Sequence, residues 1–136
     1  MGYEFWAPGL FEILSDFSTR WPDLPMTVTE SGIATESGTR RAEHIVRSLE
    51  QIHRAREAGV DVRGYYHWSL MDNFEWAEGW EPRFGLFHVE RDNGFRRVET
   101  EGASILREII AERRVTPEQS ETYGGLGPMA AEPASE

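Results

Sequence analysis

The chain has 136 residues, no cysteine and a formal net charge of −10, with 39% hydrophobic and 28% charged residues, the balance of one soluble globular domain. Its acidity counts against nucleic acid as a partner, because all 14 basic residues are Arg and no basic run gathers them. Without Cys or Lys, disulfides, thiolate metal sites and Schiff-base chemistry are excluded. No stretch approaches the roughly 20 apolar residues of a membrane span, so no membrane partner is expected and the cytoplasm is the expected location.

From Pro8 to Arg20, Leu10, Phe11, Leu14 and Phe17 recur at three- and four-residue steps, predicting an amphipathic helix with Pro8 in its first turn. Met26 to Thr29 is a short β-branched run ending at Glu30, and reads as a strand. A Gly/Ser/Thr-rich loop follows over residues 31–38. Thr39 then caps a helix whose apolar stripe is Ile45, Val46, Leu49, Ile52 and Ala55, stopped by Gly59.

Val60 to Leu70 is aromatic and β-branched, predicting a second strand, and Met71 to Phe84 reads as a long loop crowded with Trp, Phe, Glu and Asn. Gly85 to Val89 forms a short extra strand before a turn at Asn93-Gly94. A last helix runs from about Gly102 to Arg114. Residues 116–136, rich in Pro, Gly, Ser and Ala, hold four glutamates and no basic residue, and read as a disordered tail. The helix and strand alternation is that of βα units around a parallel sheet, and two such strands cannot make a stable sheet alone. The fold class expected is therefore α/β, a slice of a doubly wound sheet or of a (β/α)8 barrel.

Barrels carry reactive groups at the C-terminal ends of their strands, which is where Glu30 falls. On position alone, a glutamate leaving the sheet for water is the simpler reading. The second strand runs into Trp68-Ser-Leu-Met-Asp-Asn-Phe-Glu75-Trp76, putting two indoles and two carboxylates at the same end. Sugar rings offer an apolar C–H face to an aromatic plane and hydroxyl pairs to a carboxylate, so Trp68, Glu75 and Trp76 have the types a pyranose site needs. On composition alone, a packed aromatic cluster with capping carboxylates is an equally good reading. Asp72 and Asn73 read as structural, and His67 as a satisfied packing residue. No metal motif, phosphate loop or Ser-His-Asp arrangement occurs, so no cofactor is expected.

Thr29-Glu30-Ser31-Gly32, followed 38 residues after Glu30 by the segment Trp68 to Trp76 and then Ala-Glu-Gly, resembles glycoside hydrolase family 1, the β-glucosidase family. The likeness extends from Gly2-Tyr-Glu and Pro8-Gly9-Leu10 through Arg83-Phe84-Gly85-Leu86 to the last helix, residues 1–115. It implies the final quarter of a (β/α)8 barrel, strands seven and eight with their helices. It further implies Glu30 as the nucleophile of a retaining β-glycosidase, with Trp68, Glu75, Trp76 and Phe84 as substrate-binding residues. A carboxylate at position 75 would repel a 6-phosphate, so the substrate implied is an unphosphorylated β-glycoside. Two departures stand out: Ser31 where the family usually has Asn, and Val98-Glu99-Thr100 where relatives commonly show Pro-Lys.

The family's acid/base is a glutamate in a Thr-x-Asn-Glu-Pro motif on the fourth strand, and no Asn-Glu-Pro occurs in this sequence. The resemblance thus implies a chain that lacks half its catalytic pair and needs the missing N-terminal barrel portion. Two other readings survive at this level. A sugar-binding module would bind glucose or cellobiose unaided, and an interaction fragment would associate tightly with another protein.

Overall fold

The computed structural model describes residues 4–132. Helix α1 (Pro8–Arg20) leads to strand β1 (Met26–Ser31), helix α2 (Gly38–Glu57) and strand β2 (Val62–His67). A 3-10 turn (Trp76–Glu78) interrupts the long loop that follows, before β3 (Phe87–Glu90), β4 (Arg96–Glu99), α3 (Glu101–Glu112) and α4 (Pro117–Tyr123).

Each helix begins where the chain supplies a cap or a Pro. Pro8 occupies the first turn of α1, where its missing N–H has no intrahelical partner to lose. For α2 the cap is Ser37, whose Oγ accepts from the Arg40 N–H, and not Thr39, which lies inside the first turn and donates to Glu101. Ser37 has the extended backbone a cap requires, with φ −84° and ψ 118°. Gly59 follows at φ 93°, the left-handed backbone that ends a helix without a Cβ penalty.

Strands β1 and β2 pair in parallel, Met26 opposite Val62, Val28 opposite Tyr65 and Ser31 opposite His67. Their crossover passes through α2, the central element of the molecule. Ile52 and Ala55 of α2 join Leu14, Val60 and Val62 in one core, with Met26, Val28 and Tyr65 packed against it. Nearer the start of the same helix, Ala42, Ile45 and Val46 build a second core with Leu86, Ala103, Ile105 and Ile109. Leu49 touches both cores, so the apolar stripe read from the sequence serves two layers. Each aliphatic side chain fully buried there contributes about 2 kcal/mol.

The other face of the β1–β2 pair is uncovered. Thr27, Thr29, Glu30, Arg63 and Tyr66 are all exposed, and each strand has one unpaired edge among the described residues. A parallel pair is ordinarily covered on both faces. The result is a partial α/β unit with no closed barrel among the described residues.

Two further expectations change. The strand from Gly85 is one arm of an antiparallel hairpin, β3 with β4, turning through Gly94 and Phe95 at φ 62° and 58°. The tail is not wholly disordered. Thr116 and Gln119 form a reciprocal capping box, each side chain satisfying the other's backbone N–H, and α4 follows. The chain then runs back along α2 to Glu132, and residues 133–136 of the expected tail lie outside the described region.

Candidate active site

The two strand ends are joined before any side chain is considered. The Trp68 N–H donates to the Ser31 carbonyl at 2.9 Å, which sets Glu30 one residue before a direct bond to the second strand's exit. Immediately after it, Gly32 approaches the Trp68 carbonyl so closely that a Cβ there would stand 1.9 Å from the oxygen. Only glycine allows this approach. The peptide between Trp68 and Ser69 is cis. Glu30 is exposed, and Trp68, 38% exposed, stands at the same end of the sheet.

The loop after Trp68 is held from below by Asp72, whose side chain is only 8% exposed. Its Oδ1 accepts from the Gly85 N–H at 3.0 Å, and its Oδ2 accepts from the Val89 N–H at 3.1 Å and from Arg83 at 3.2 Å. His88 Nδ1 lies 3.1 Å from the same oxygen. Asn73 Nδ2 donates to Ser69 Oγ, and Ser69 to the Met71 carbonyl. Asp72 and Asn73 are structural, as their sequence context suggests.

On this base the segment Glu75 to Gly79 closes on itself. The Glu75 N–H donates to the Gly79 carbonyl at 2.7 Å, the Glu78 N–H to Glu75 and the Gly79 N–H to Trp76. Trp76 is held at φ 46°, a left-handed backbone uncommon for a bulky residue, and its side chain is 83% exposed. Phe84 differs from the other expected substrate-binding residues: at 6% exposure it belongs to the packed interior, and its carbonyl accepts from the Ser69 N–H.

The loop after β1 is stitched to this second loop by arginine. Arg41 Nη2 donates at 2.7 Å to the carbonyls of both Thr35 and Arg83, and the Thr35 N–H donates to the Arg83 carbonyl. Arg83 in turn pairs with Glu36 at 2.9 Å. Burial pulls the Arg41 guanidinium below its usual value, and the nearby Asp72 and Glu36 carboxylates oppose that. Arg41 was not singled out in the sequence and Arg83 entered only within the matching segment Arg83-Phe84-Gly85-Leu86, since nothing local distinguishes either from the other arginines.

Behind β2, His44 and His67 stack edge to face at 6.0 Å. Burial, reinforced by His67 and by Arg41, lowers His44 to about 3, and burial with Arg41 lowers His67 to about 4. Both rings are therefore neutral at neutral pH. Neither nitrogen of His67 has a hydrogen-bond partner among the described residues, so His67 is a packing residue but not a satisfied one.

Neither of two clefts, about 420 and 930 Å³, is lined by Glu30 or Glu75. Glu30 and Trp68 stand at the end of the sheet, and Glu75 and Trp76 lie on the loop that leaves it. Among the described residues no group of three or more His, Asp or Glu is arranged to hold a metal ion. No described helix is long and apolar enough to cross a membrane.

Compared with known proteins, residues 1–115 match the model of glycosyl hydrolase family 1. The chain belongs to this family. A family 1 relative, a β-galactosidase of Saccharolobus solfataricus, is 43% identical over 117 residues, 86% of this chain but 24% of the relative. A bifunctional β-D-glucosidase/β-D-fucosidase of Bifidobacterium breve is 39% identical over 125 residues, 82% of this chain and 27% of that protein. Among solved structures, the β-glycosidase from Pyrococcus horikoshii superposes with a TM-score of 0.86 at 40% identity, over 91% of this chain and 29% of that one. The chain thus spans about a quarter of the length of these family 1 relatives.

Proposed function

We propose that this chain supplies the nucleophile and glycone-binding half of a retaining β-glycosidase that acts on unphosphorylated terminal β-D-glycosyl residues. The observation that carries the reading is the junction of the two strand ends through Ser31, Gly32 and Trp68. It brings an exposed carboxylate and an exposed indole to one end of a parallel sheet. The relatives' activities, β-galactosidase and β-glucosidase/β-fucosidase, support the substrate class and leave the glycone open.

In this mechanism Glu30 attacks the anomeric carbon and forms a covalent glycosyl-enzyme, which water then hydrolyses. Trp68 and Trp76 present flat apolar faces to the sugar, and Glu75 accepts from its hydroxyls. The second carboxyl group of a retaining pair stands about 5–5.5 Å from the nucleophile, protonates the leaving oxygen and later activates water. Glu75 is not assigned that role, and the sequence has no Asn-Glu-Pro to provide it. The partner that completes the site is the remainder of a barrel, which would also cover the open face and edges of β1 and β2. The chain by itself does not turn over substrate.

Joining the chain to the N-terminal three quarters of a family 1 barrel tests this. Hydrolysis of an aryl β-glucoside should appear, and Glu30→Ala should reduce it on the order of a thousandfold or more. A 2-fluoro-glycoside should label Glu30. Full activity in the Glu30→Ala assembly would show that the nucleophile is another residue.

A further inference from the structure

The segment after α3 lies outside the matched family region, yet it docks on α2 through a regular set of contacts. Arg40, Glu43, Arg47 and Glu50 are spaced three, four and three residues apart, which puts them on one helix face. The two arginines take carbonyls of the segment. Arg47 donates to Tyr123 at 3.2 Å and to Gly127 at 2.6 Å, and Arg40 donates to Ala130 at 2.7 Å. The two glutamates take its N–H groups, Glu43 from Ala130 at 2.7 Å and Glu50 from Gly125 at 3.3 Å. Gly124 allows the close approach, since a Cβ there would fall 2.5 Å from a Glu50 carboxylate oxygen.

Glu43 and Arg47 are 8% and 6% exposed. A buried charge is tolerated when it is paired and hydrogen-bonded, and here the two pair with each other at 3.5 Å and the segment's backbone supplies further partners to both. The docking is therefore specific recognition of main-chain groups and not a loose covering.

The far end of the segment reaches the site's scaffold. Glu132 pairs with Arg40 Nε at 3.1 Å and accepts from the Glu36 N–H at 3.2 Å, in the loop that leaves Glu30. The Glu36 side chain holds Arg83, and Arg83 holds Asp72, the anchor of the loop bearing Glu75 and Trp76. A continuous path of direct contacts joins the segment to both halves of the candidate site.

We propose that residues 116–132 are a positioning strap: docked on α2 by Arg40, Glu43, Arg47 and Glu50, they fix the loop after Glu30 through Glu132 and, through Glu36, Arg83 and Asp72, the loop carrying Glu75 and Trp76. Its catalytic meaning rests on the glycosidase reading above, whereas the docking and its effect on the two loops do not. None of the strap residues touches the sugar.

Hydrogen–deuterium exchange on the whole chain tests the strap, comparing wild type with Glu132→Ala and Arg47→Ala. In both variants the amides of Thr35, Glu36 and Gly85 should exchange about tenfold faster or more, while those of α3 and β2 keep wild-type rates. Three results overturn the proposal. Gly125 and Ala130 could be unprotected in the wild-type chain; the strap could be released with no change at Thr35, Glu36 and Gly85; or exchange could rise equally throughout, a general loss of stability. Glu30→Ala should leave every one of these rates unchanged, so a wrong nucleophile and a wrong strap give different results.

Discussion

Gly32 and Trp68 meet so closely that the Trp68 carbonyl oxygen occupies the space of any Cβ at position 32, 1.9 Å from where it would stand. The obstructing atom belongs to the backbone, so it cannot swing aside as a side chain would. Gly32→Ala should separate the strand ends, weaken the bond between Trp68 N–H and the Ser31 carbonyl, and cost about 2–3 kcal/mol. Urea denaturation of both proteins measures it. A midpoint unchanged from wild type would mean that the two strands exit farther apart than described.

Asp72 should be the most sensitive polar residue outside the proposed chemistry. Its truncation leaves the Gly85 and Val89 N–H groups without their acceptor and Arg83 without one of its carboxylates. Asp72→Ala is expected to destabilise by about 3 kcal/mol and to loosen the loop that carries Glu75 and Trp76. Asp72→Asn keeps an acceptor oxygen and should recover part of that loss. Equal stability of the alanine and wild-type proteins in denaturant would remove Asp72 from its anchoring role.

Trp76 offers a contrast between stability and function. With its side chain 83% exposed and its backbone at φ 46°, it contributes little burial and carries a strained conformation. Glycine adopts that backbone freely but gains entropy in the unfolded chain. Trp76→Gly should therefore leave stability within about 0.5 kcal/mol of wild type, or raise it. Affinity of the assembled enzyme for glycoside should fall, by calorimetry. A large loss of stability would show that the indole packs against something in solution.

His44 and His67 give the chain an acid-sensitive element. Their folded values, about 3 and about 4, lie below the ordinary 6.5, so between those limits the unfolded chain binds more protons than the folded one. Their neutral burial is fully compatible with folding above about pH 6.5, and stability should decline steadily as the pH drops from there toward 4. Urea midpoints at intervals from pH 7 to pH 4 follow the decline. Replacing both by Phe should flatten it, and a slope that survives the double replacement would assign it to other groups.

Much of the framework was legible in the sequence. The stripe Ile45, Val46, Leu49, Ile52 and Ala55 announces α2, and the run Met26 to Thr29 announces β1, because burial on one face leaves a periodic trace. The candidate site at Trp68 to Trp76 was legible only as a set of residue types, and Glu30 as a strand-end position. The arginine clamps were not. Arg41 donates to backbone carbonyls and Arg83 pairs with the carboxylates of Glu36 and Asp72, and contacts between separate loops leave no local pattern. Strand β4 was missed because Arg96, Arg97 and Glu99 lie on an exposed hairpin, where no apolar alternation is needed. The strap was missed for the reason that applies to Arg41, since its partners are α2 side chains 70 residues or more earlier. One signal was present: Thr116-Pro-Glu-Gln119 is a capping box with Pro at the first helical position. Composition averaged over the tail outweighed it.

The unpaired edges of β1 and β2 bear on how the chain behaves in the tube. An open strand edge is a template for any other strand, including one from a second copy. At neutral pH a charge of −10 keeps copies apart. That repulsion vanishes near the isoelectric point, about 4.9, where the histidine pair has also begun to loosen the fold. Mildly acidic buffers should therefore bring on edge-to-edge aggregation, and purification belongs well above pH 6.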